Sequence, residues 1–269
     1  MPDKLTLYHS VESTCSQKVR IVLSEKGLHW KQISINLRKG EQFEPDYLKL
    51  NRKAVVPTLL HGDKVLREST VIIEYLDEVF PEPRLKPEAA YDKANMRLLL
   101  KAFDEEVHPS VGILSYAIVL RHQMNSLKTP AEMKLHFENI VDPMRRDRQQ
   151  RTHADGLKAP SASVALQTLC KVVDLMHELI GNNKWLTGNT FSLIDACAVP
   201  YMVRMQNIGL SSIWQDKEEI GIWLTRVRKK VEEYELEEVW GSDSFHAMVE
   251  GYVNANQAEI NQLIKERLS

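Results

Sequence analysis

Strand signals run out at about residue 80 of this chain, and that break constrains its fold more than any other feature. Before it, two kinds of periodicity alternate. Lys4–His9 reads as a strand, and Thr14–Lys26 places Val19, Val22 and Leu23 at helical spacing with Gly27 as its stop. Trp30–Ile35 alternates again, and Phe43–Leu50 reads as a short helix. Pro57–Leu60 and Val65–Leu66 flank the turn-like triplet His61-Gly62-Asp63. Ser69–Phe80 is predicted helical, with Val71, Ile72, Tyr75 and Leu76 turned inward and Pro81 as its end. The order is β-α-β-α-β-β-α. Pro81, Pro83 and Pro87 then mark a linker, and everything beyond them has helical periodicity. The predicted helices are Ala89–His122, with room for a break near His108-Pro109, then Thr129–Arg151, Val164–Ile180, Ser192–Ile208, Ile220–Val231 and the C-terminal segment ending at Ser269. The expected architecture is an α/β domain over 1–80, a linker over 81–88 and an all-α domain over 89–269.

Charge and composition narrow the function classes. With 35 basic against 37 acidic residues the net charge is −2, so no overall field draws the chain to nucleic acid or an anionic membrane. No apolar run approaches the roughly 20 residues of a membrane span. The start, Met1-Pro2-Asp3-Lys4-Leu5, has no apolar signal-peptide core. Three cysteines, Cys15, Cys170 and Cys197, are too few and odd in number for a disulfide framework and point to a reducing, cytoplasmic setting. His9, His108, His122 and His153 lack metal-ligand spacing, so no metal site is expected.

The candidate site rests on two short stretches. Val55-Val56-Pro57-Thr58 puts a proline, a candidate for the cis form, at the head of a strand, where the Val56 backbone can pair with an extended ligand. Glu68-Ser69-Thr70 opens a helix whose free N–H groups can hold a carboxylate, while Glu68 can meet an ammonium. A peptide bond, a carboxylate and an amine in that order describe a glutathione-like ligand. Ser13-Thr14-Cys15-Ser16 lies at the same end of the predicted sheet, between the first strand and the first helix. A helix N-terminus and a hydroxyl donor both stabilise a thiolate, so Ser13 can act on a bound thiol and Cys15 can itself be the thiolate. Two plainer readings stand beside these: Ser13 as a helix cap and Cys15 as a small core filler. Tyr8 is a competing hydroxyl donor.

On these residues the chain resembles the cytosolic glutathione transferases along essentially its whole length. Ser13-Thr14-Cys15-Ser16 with Val19-Arg20-Ile21 is similar to the zeta-class motif, which includes maleylacetoacetate isomerases, and Glu74-Tyr75-Leu76 and Pro83-Arg84-Leu85 extend the likeness. Phe43–Tyr47 with Lys53–Thr58 resembles tetrachlorohydroquinone reductive dehalogenase, and Glu68–Ile72 with Val79–Glu82 resembles bacterial glutathione-dependent β-etherases. The resemblance implies a thioredoxin-like first domain, glutathione as cofactor, and a homodimer. It implies that Val56 pairs with the cysteinyl unit, that Pro57 is the cis-proline, that Glu68 and Ser69 hold the γ-glutamyl end, and that Gln42 matches a zeta-class glutamine. One residue departs from the pattern: Val55 stands where many relatives carry glutamine or lysine, so the side-chain contact to glutathione is either lost or supplied by Lys53.

The expected partner beside glutathione is a small hydrophobic electrophile of aromatic type, with conjugation, aryl-ether cleavage, dehalogenation or isomerisation as outcomes; a non-catalytic glutathione-binding protein is the alternative. Tyr116, Met124, Tyr201, Met205 and Trp214 are candidates for the pocket wall, although their spacing suits a core equally well. Arg145-Arg146-Asp147-Arg148 with Arg151 reads as a solvated helix face or as a rim for an anionic substrate. Ser192-Leu193-Ile194-Asp195 is a capping-box variant, which assigns Asp195 a folding role. The stretch Leu120–Ala159 is longer than in minimal relatives and is expected to shape a bulky-substrate pocket.

Overall fold

Leu5 and Leu7 of β1 (Leu5–His9) are buried and alternate with half-exposed Thr6 and Tyr8, as a strand with a helix-covered face requires. The computed structural model describes residues 4–268. β1 is followed by α1 (Thr14–Glu25), β2 (Trp30–Ser34), a 3₁₀ turn (Glu41–Phe43), α2 (Pro45–Leu50), β3 (Thr58–His61), β4 (Lys64–Leu66) and α3 (Ser69–Val79). The sheet order is β2-β1-β3-β4, with β1 parallel to β2 and the other pairs antiparallel. This is the thioredoxin-like arrangement that the resemblance implies.

The rest is helical: α4 (Ala90–Ala102), α5 (His108–Ser115), α6 (Arg121–Leu127), α7 (Pro130–Glu138), α8 (Pro143–Asp155), α9 (Pro160–Ile180), α10 (Leu193–Asn207), α11 (Glu218–Glu232) and α12 (Asp243–Leu268). α10 is buried on nearly every side, from Leu193 through Val203, and packs directly on α1. Its N-terminus has the expected capping box: Asp195 accepts from the Ser192 N–H at 2.9 Å and the Ser192 hydroxyl at 2.8 Å. Asp195 also accepts from Leu186 N–H at 3.0 Å and Trp223 Nε1 at 2.8 Å, so it is a structural acceptor.

Three expectations are corrected. The chain does not break at His108-Pro109. Instead the helix widens into π-turns at Phe103–Val107 and Tyr116–Leu120, and the His108 N–H bonds back to the Phe103 carbonyl. The wider turn accommodates a proline ring that would crowd a regular one. The segment Thr129–Arg151 is two helices, because Asp142 caps a new start at Pro143 by accepting from Met144 N–H at 2.9 Å. Val71 is 57% exposed; the inward face of α3 is Ile72, Ile73 and Leu76.

Among the described residues no helix is long and apolar enough to cross a membrane, and no group of His, Cys, Asp or Glu is arranged to hold a metal ion.

Candidate active site

The strand register brings the predicted stretches to one edge. Tyr8 lies opposite Thr58, and Leu59 opposite Leu66. The loop after β1, the turn before β3 and the loop after β4 therefore open at the same end of the sheet. The Val56–Pro57 bond is cis there, and Val56 lies just outside the ladder that starts at Thr58. The Val55 carbonyl accepts from Tyr47 Oη at 2.6 Å and Asn51 Nδ2 at 2.9 Å, so Val55 serves this turn through its backbone.

Glu68 caps α3 with φ 64°, a conformation that costs a non-glycine residue energy and that clusters at binding sites. Its carboxylate pairs with Lys53 Nζ at 2.6 Å. Both side chains are mostly solvent-exposed, so this pair is weak and open to exchange with a ligand's charges. Ser69 is buried at the helix start. Gln42 is buried; its Nε2 donates to the Leu37 carbonyl at 3.3 Å, and its Oε1 is an acceptor without a partner. Tyr8 is half-buried, with its ring against Tyr47 at 5.8 Å.

Ser13 is the N-cap of α1, its hydroxyl accepting from Ser16 N–H at 3.3 Å. The cap uses an oxygen lone pair and leaves the hydroxyl proton to donate, so capping and thiol activation are compatible. Cys15 has the richer surroundings. Its sulfur lies 3.5 Å from His108 Nδ1 and 3.4 Å from Tyr201 Oη, and those two groups are 3.3 Å apart. The π-turn before α5 presents His108, and α10 presents Tyr201. Burial alone would raise the thiol pKa. The His108 charge and hydrogen bond, the Lys18 charge and the Tyr201 hydroxyl outweigh it and bring Cys15 down to about 6. The negative sulfur in turn raises the His108 pKa against the effect of burial. Burial and the same sulfur push Tyr201 well up, which keeps its hydroxyl a proton donor.

Lys18 lies one turn along α1 from Cys15 and is fully buried. Its Nζ donates to Thr70 Oγ1 at 2.9 Å and pairs with Asp104 Oδ1 at 3.2 Å. Burial works against its charge, but Cys197, Cys15 and Asp104 together hold the ammonium well above its usual range. The π-turn and the residue that follows it therefore contribute two groups: Asp104 fixes Lys18, and His108 meets Cys15. Sequence reasoning missed Lys18 and His108 as site residues and named Tyr201 only as a wall. The available signal was Lys18 at i+3 from Cys15.

Of the remaining wall candidates, Met205 and Trp214 sit in the main core, Met124 in a separate cluster with Met133, Phe137 and Ile140, and Tyr116 Oη is 3.0 Å from His153 Nδ1. The α6–α8 stretch reaches the first domain, where His136 meets Phe43 edge-on at 6.3 Å. In the basic run, Arg146 donates to the Ile140 carbonyl and Arg151 pairs with Asp147. Arg145 has no acidic hydrogen-bond partner among the described residues. It keeps solvent contact, yet the protein around it is dense enough that burial lowers its pKa, joined by Arg148; Asp142 and Cys15 act in the opposite sense.

Residues 7–84 match the glutathione S-transferase N-terminal domain. Glutathione S-transferase Z1 of Arabidopsis thaliana is 39% identical over 118 residues, which is 42% of this chain and 52% of that protein, so the chain spans about half the length of this relative. Protein LigF of Sphingobium sp. strain SYK-6 is 29% identical over 195 residues, 72% of this chain and 76% of LigF. The crystal structure of the β-etherase LigF superposes with a TM-score of 0.75 at 25% identity, covering 86% of this chain and 99% of that one. Residues 7–84 thus belong to the glutathione S-transferase N-terminal domain family, and the sheet-then-helices architecture gives the chain the glutathione transferase fold.

Proposed function

We propose that the protein is a glutathione transferase that directs a thiolate at a small electrophilic, aromatic substrate. The observation that carries this reading is Cys15, held between His108 and Tyr201 at the edge where cis-Pro57 and the α3 N-terminus open. The residues suit glutathione: an acid and free N–H groups begin α3, Val56 lies outside the ladder, and Gln42 Oε1 is a buried acceptor without a partner. Bound glutathione supplies a thiol nucleophile. Val56, Pro57, Glu68, Ser69, Gln42 and Lys53 hold it, and the Ser13 hydroxyl donates to the thiolate while its oxygen caps α1. Cys15 adds a second thiolate, whose charge His108 and Tyr201 stabilise. Residues 1–80 bind glutathione, and 89–269 form the substrate side beyond the 81–88 linker.

The substrate is an anionic aromatic. Arg145 supports this, because its charge is felt at both Cys15 and His108 and no carboxylate hydrogen-bonds to it among the described residues. The protein acts in the cytoplasm, in keeping with its three free thiols, and pairs as a homodimer, in keeping with exposed Val71, Tyr91 and Leu98 on α3 and α4.

Turnover of a chlorinated nitroaromatic with glutathione is the direct test. Activity is expected in the parent and reduced in Cys15→Ser and in Ser13→Ala. Unchanged turnover of Cys15→Ser in excess glutathione would remove Cys15 from the mechanism. Retention on immobilised glutathione without activity on any electrophile would leave a binding protein. A second reading, a glutathione-dependent isomerase of the maleylacetoacetate type, is favoured by the likeness to the zeta-class relative; it predicts turnover without glutathione consumption.

A further inference from the structure

The loop that carries Ser13 and Cys15 is held from the far end of the chain. Arg204 Nη2 donates to the Glu12 carbonyl at 2.8 Å, one residue before the α1 cap. The Glu12 carboxylate pairs with Arg38, just after β2. Both guanidinium groups lie over one ring, Phe245 at the start of α12, with Arg204 at 4.8 Å and Arg38 at 5.7 Å from its centroid. Phe245 is buried. Two cations brought together on one ring need a counter-charge, and Glu12 provides it: burial pulls Arg204 down to about 10, Glu12 supports its charge and Arg38 opposes it.

The segment leading into α12 is tied to the same helix. The Glu237 carbonyl accepts from buried Arg20 of α1, Tyr234 donates to Glu25, and Lys230 Nζ lies 2.8 Å from Glu25. Gly241 then passes close to the ring at φ +114°, where a Cβ would come within 3.0 Å of Phe245 Cδ1. Arg204 is also one turn from Tyr201 on α10. The helix that contacts the Cys15 sulfur therefore also grips the loop in front of it.

We propose that Arg204 and Phe245 are positioning residues: through Glu12 they set where the β1–α1 loop holds Cys15 against His108 and Tyr201, so α12 controls the reactivity of a thiol more than two hundred residues away. This rests on the reading of Cys15 as a working thiolate.

The test is alkylation of Cys15 by iodoacetamide across a pH series, with the site of modification read by mass spectrometry, in the full chain. The variants are Phe245→Ala, Phe245→Trp, Arg204→Met and Arg204→Lys. Near pH 6.5, the rate in Phe245→Ala and Arg204→Met is expected to fall about fivefold or more, with the midpoint moved upward, because rate follows the thiolate fraction. Phe245→Trp and Arg204→Lys, which keep a ring and a cation, are expected to recover most of it. Gly241→Ala removes no side chain of the stack but forces the ring to shift; it is expected to lower the rate about twofold, and it decides the matter if the larger truncations do not fold. Folded variants with the parent's profile would overturn the proposal. A parent protein whose Cys15 titrates like an ordinary thiol would instead overturn the reading on which it rests.

Discussion

Cys15 and His108 are 93 residues apart in the chain, yet sulfur and Nδ1 lie 3.5 Å apart. The pair stores a negative charge on sulfur against a positive one on imidazole, in a place where burial alone would keep the thiol neutral. The alkylation rate of Cys15 is therefore expected to be flat at neutral pH and to fall as the pH drops through about 6. In His108→Gln the imidazolium charge is gone and burial is less opposed, so the midpoint moves up; each unit of that shift costs about tenfold in rate at mildly acidic pH. Tyr201→Phe removes only a hydroxyl donor and moves it less. An unmoved midpoint in His108→Gln would mean that Lys18 alone holds the charge.

Ser13 separates two roles by choice of substitution. As the cap of α1 it contributes about 1 kcal/mol relative to alanine, and glycine at the same position costs only a few tenths. As a donor to a thiolate it cannot be replaced by either. Ser13→Gly is therefore expected to keep near-parent urea stability and lose about tenfold or more in kcat with glutathione, while Ser13→Thr retains both. Parent-like kcat in Ser13→Gly would leave the hydroxyl as a cap alone.

Much of this molecule is legible in its sequence because its elements announce themselves locally. The alternation around Leu5 and Leu7, the helix ends at Gly27 and Pro81, and the Ser192–Asp195 box all depend on neighbours within a few residues. That Val56, Pro57, Glu68 and Ser69 come to one edge of the sheet is legible for the same reason, since each sits at the end of a local element. The groups that charge Cys15 are not. His108 and Tyr201 look like ordinary positions on helical faces, and their approach to sulfur depends on how α10 packs on α1 and α5 on α10. Lys18 reads as a solvent-facing lysine until Thr70 and Asp104 close over it. The π-turn that puts Asp104 and His108 on one side has no pattern of its own beyond a proline that suggests a break.

Asp195 tests the folding role of the capping box. Its four accepted hydrogen bonds, from Ser192 N–H, Ser192 Oγ, Leu186 N–H and Trp223 Nε1, are all buried. Alanine there strands these donors, with an expected loss of about 3 kcal/mol or more in urea denaturation. Asparagine keeps the volume and part of the network and is expected to lose about half as much. Where the variants remain folded, the Cys15 alkylation midpoint is expected to stay in place, because Asp195 bonds to none of Cys15, His108 or Tyr201. A moved midpoint would assign Asp195 to the site.

Arg145 decides between a solvated helix face and a substrate-selecting rim. Its neighbours Arg146 and Arg151 are satisfied locally by the Ile140 carbonyl and Asp147, which accounts for them as surface residues. Arg145 has no such partner, and its charge is felt at Cys15 and His108. A substrate carboxylate placed there would be paired, whereas an uncharged analogue would gain nothing from the guanidinium. Kinetics of Arg145→Gln with two chlorinated aromatics that differ only in a carboxylate separates the cases. The expected outcome is a rise of about tenfold in KM for the carboxylated substrate, as for loss of one charge-assisted hydrogen bond, with little change for its neutral partner. Any general effect of Arg145 on the thiolate acts equally on both substrates and cancels in their ratio. Arg145→Lys keeps the charge but not the planar fork and is expected to fall between. Added salt should erode the parent's preference for the charged substrate. Equal losses with both substrates would return Arg145 to the solvated face on which its neighbours lie.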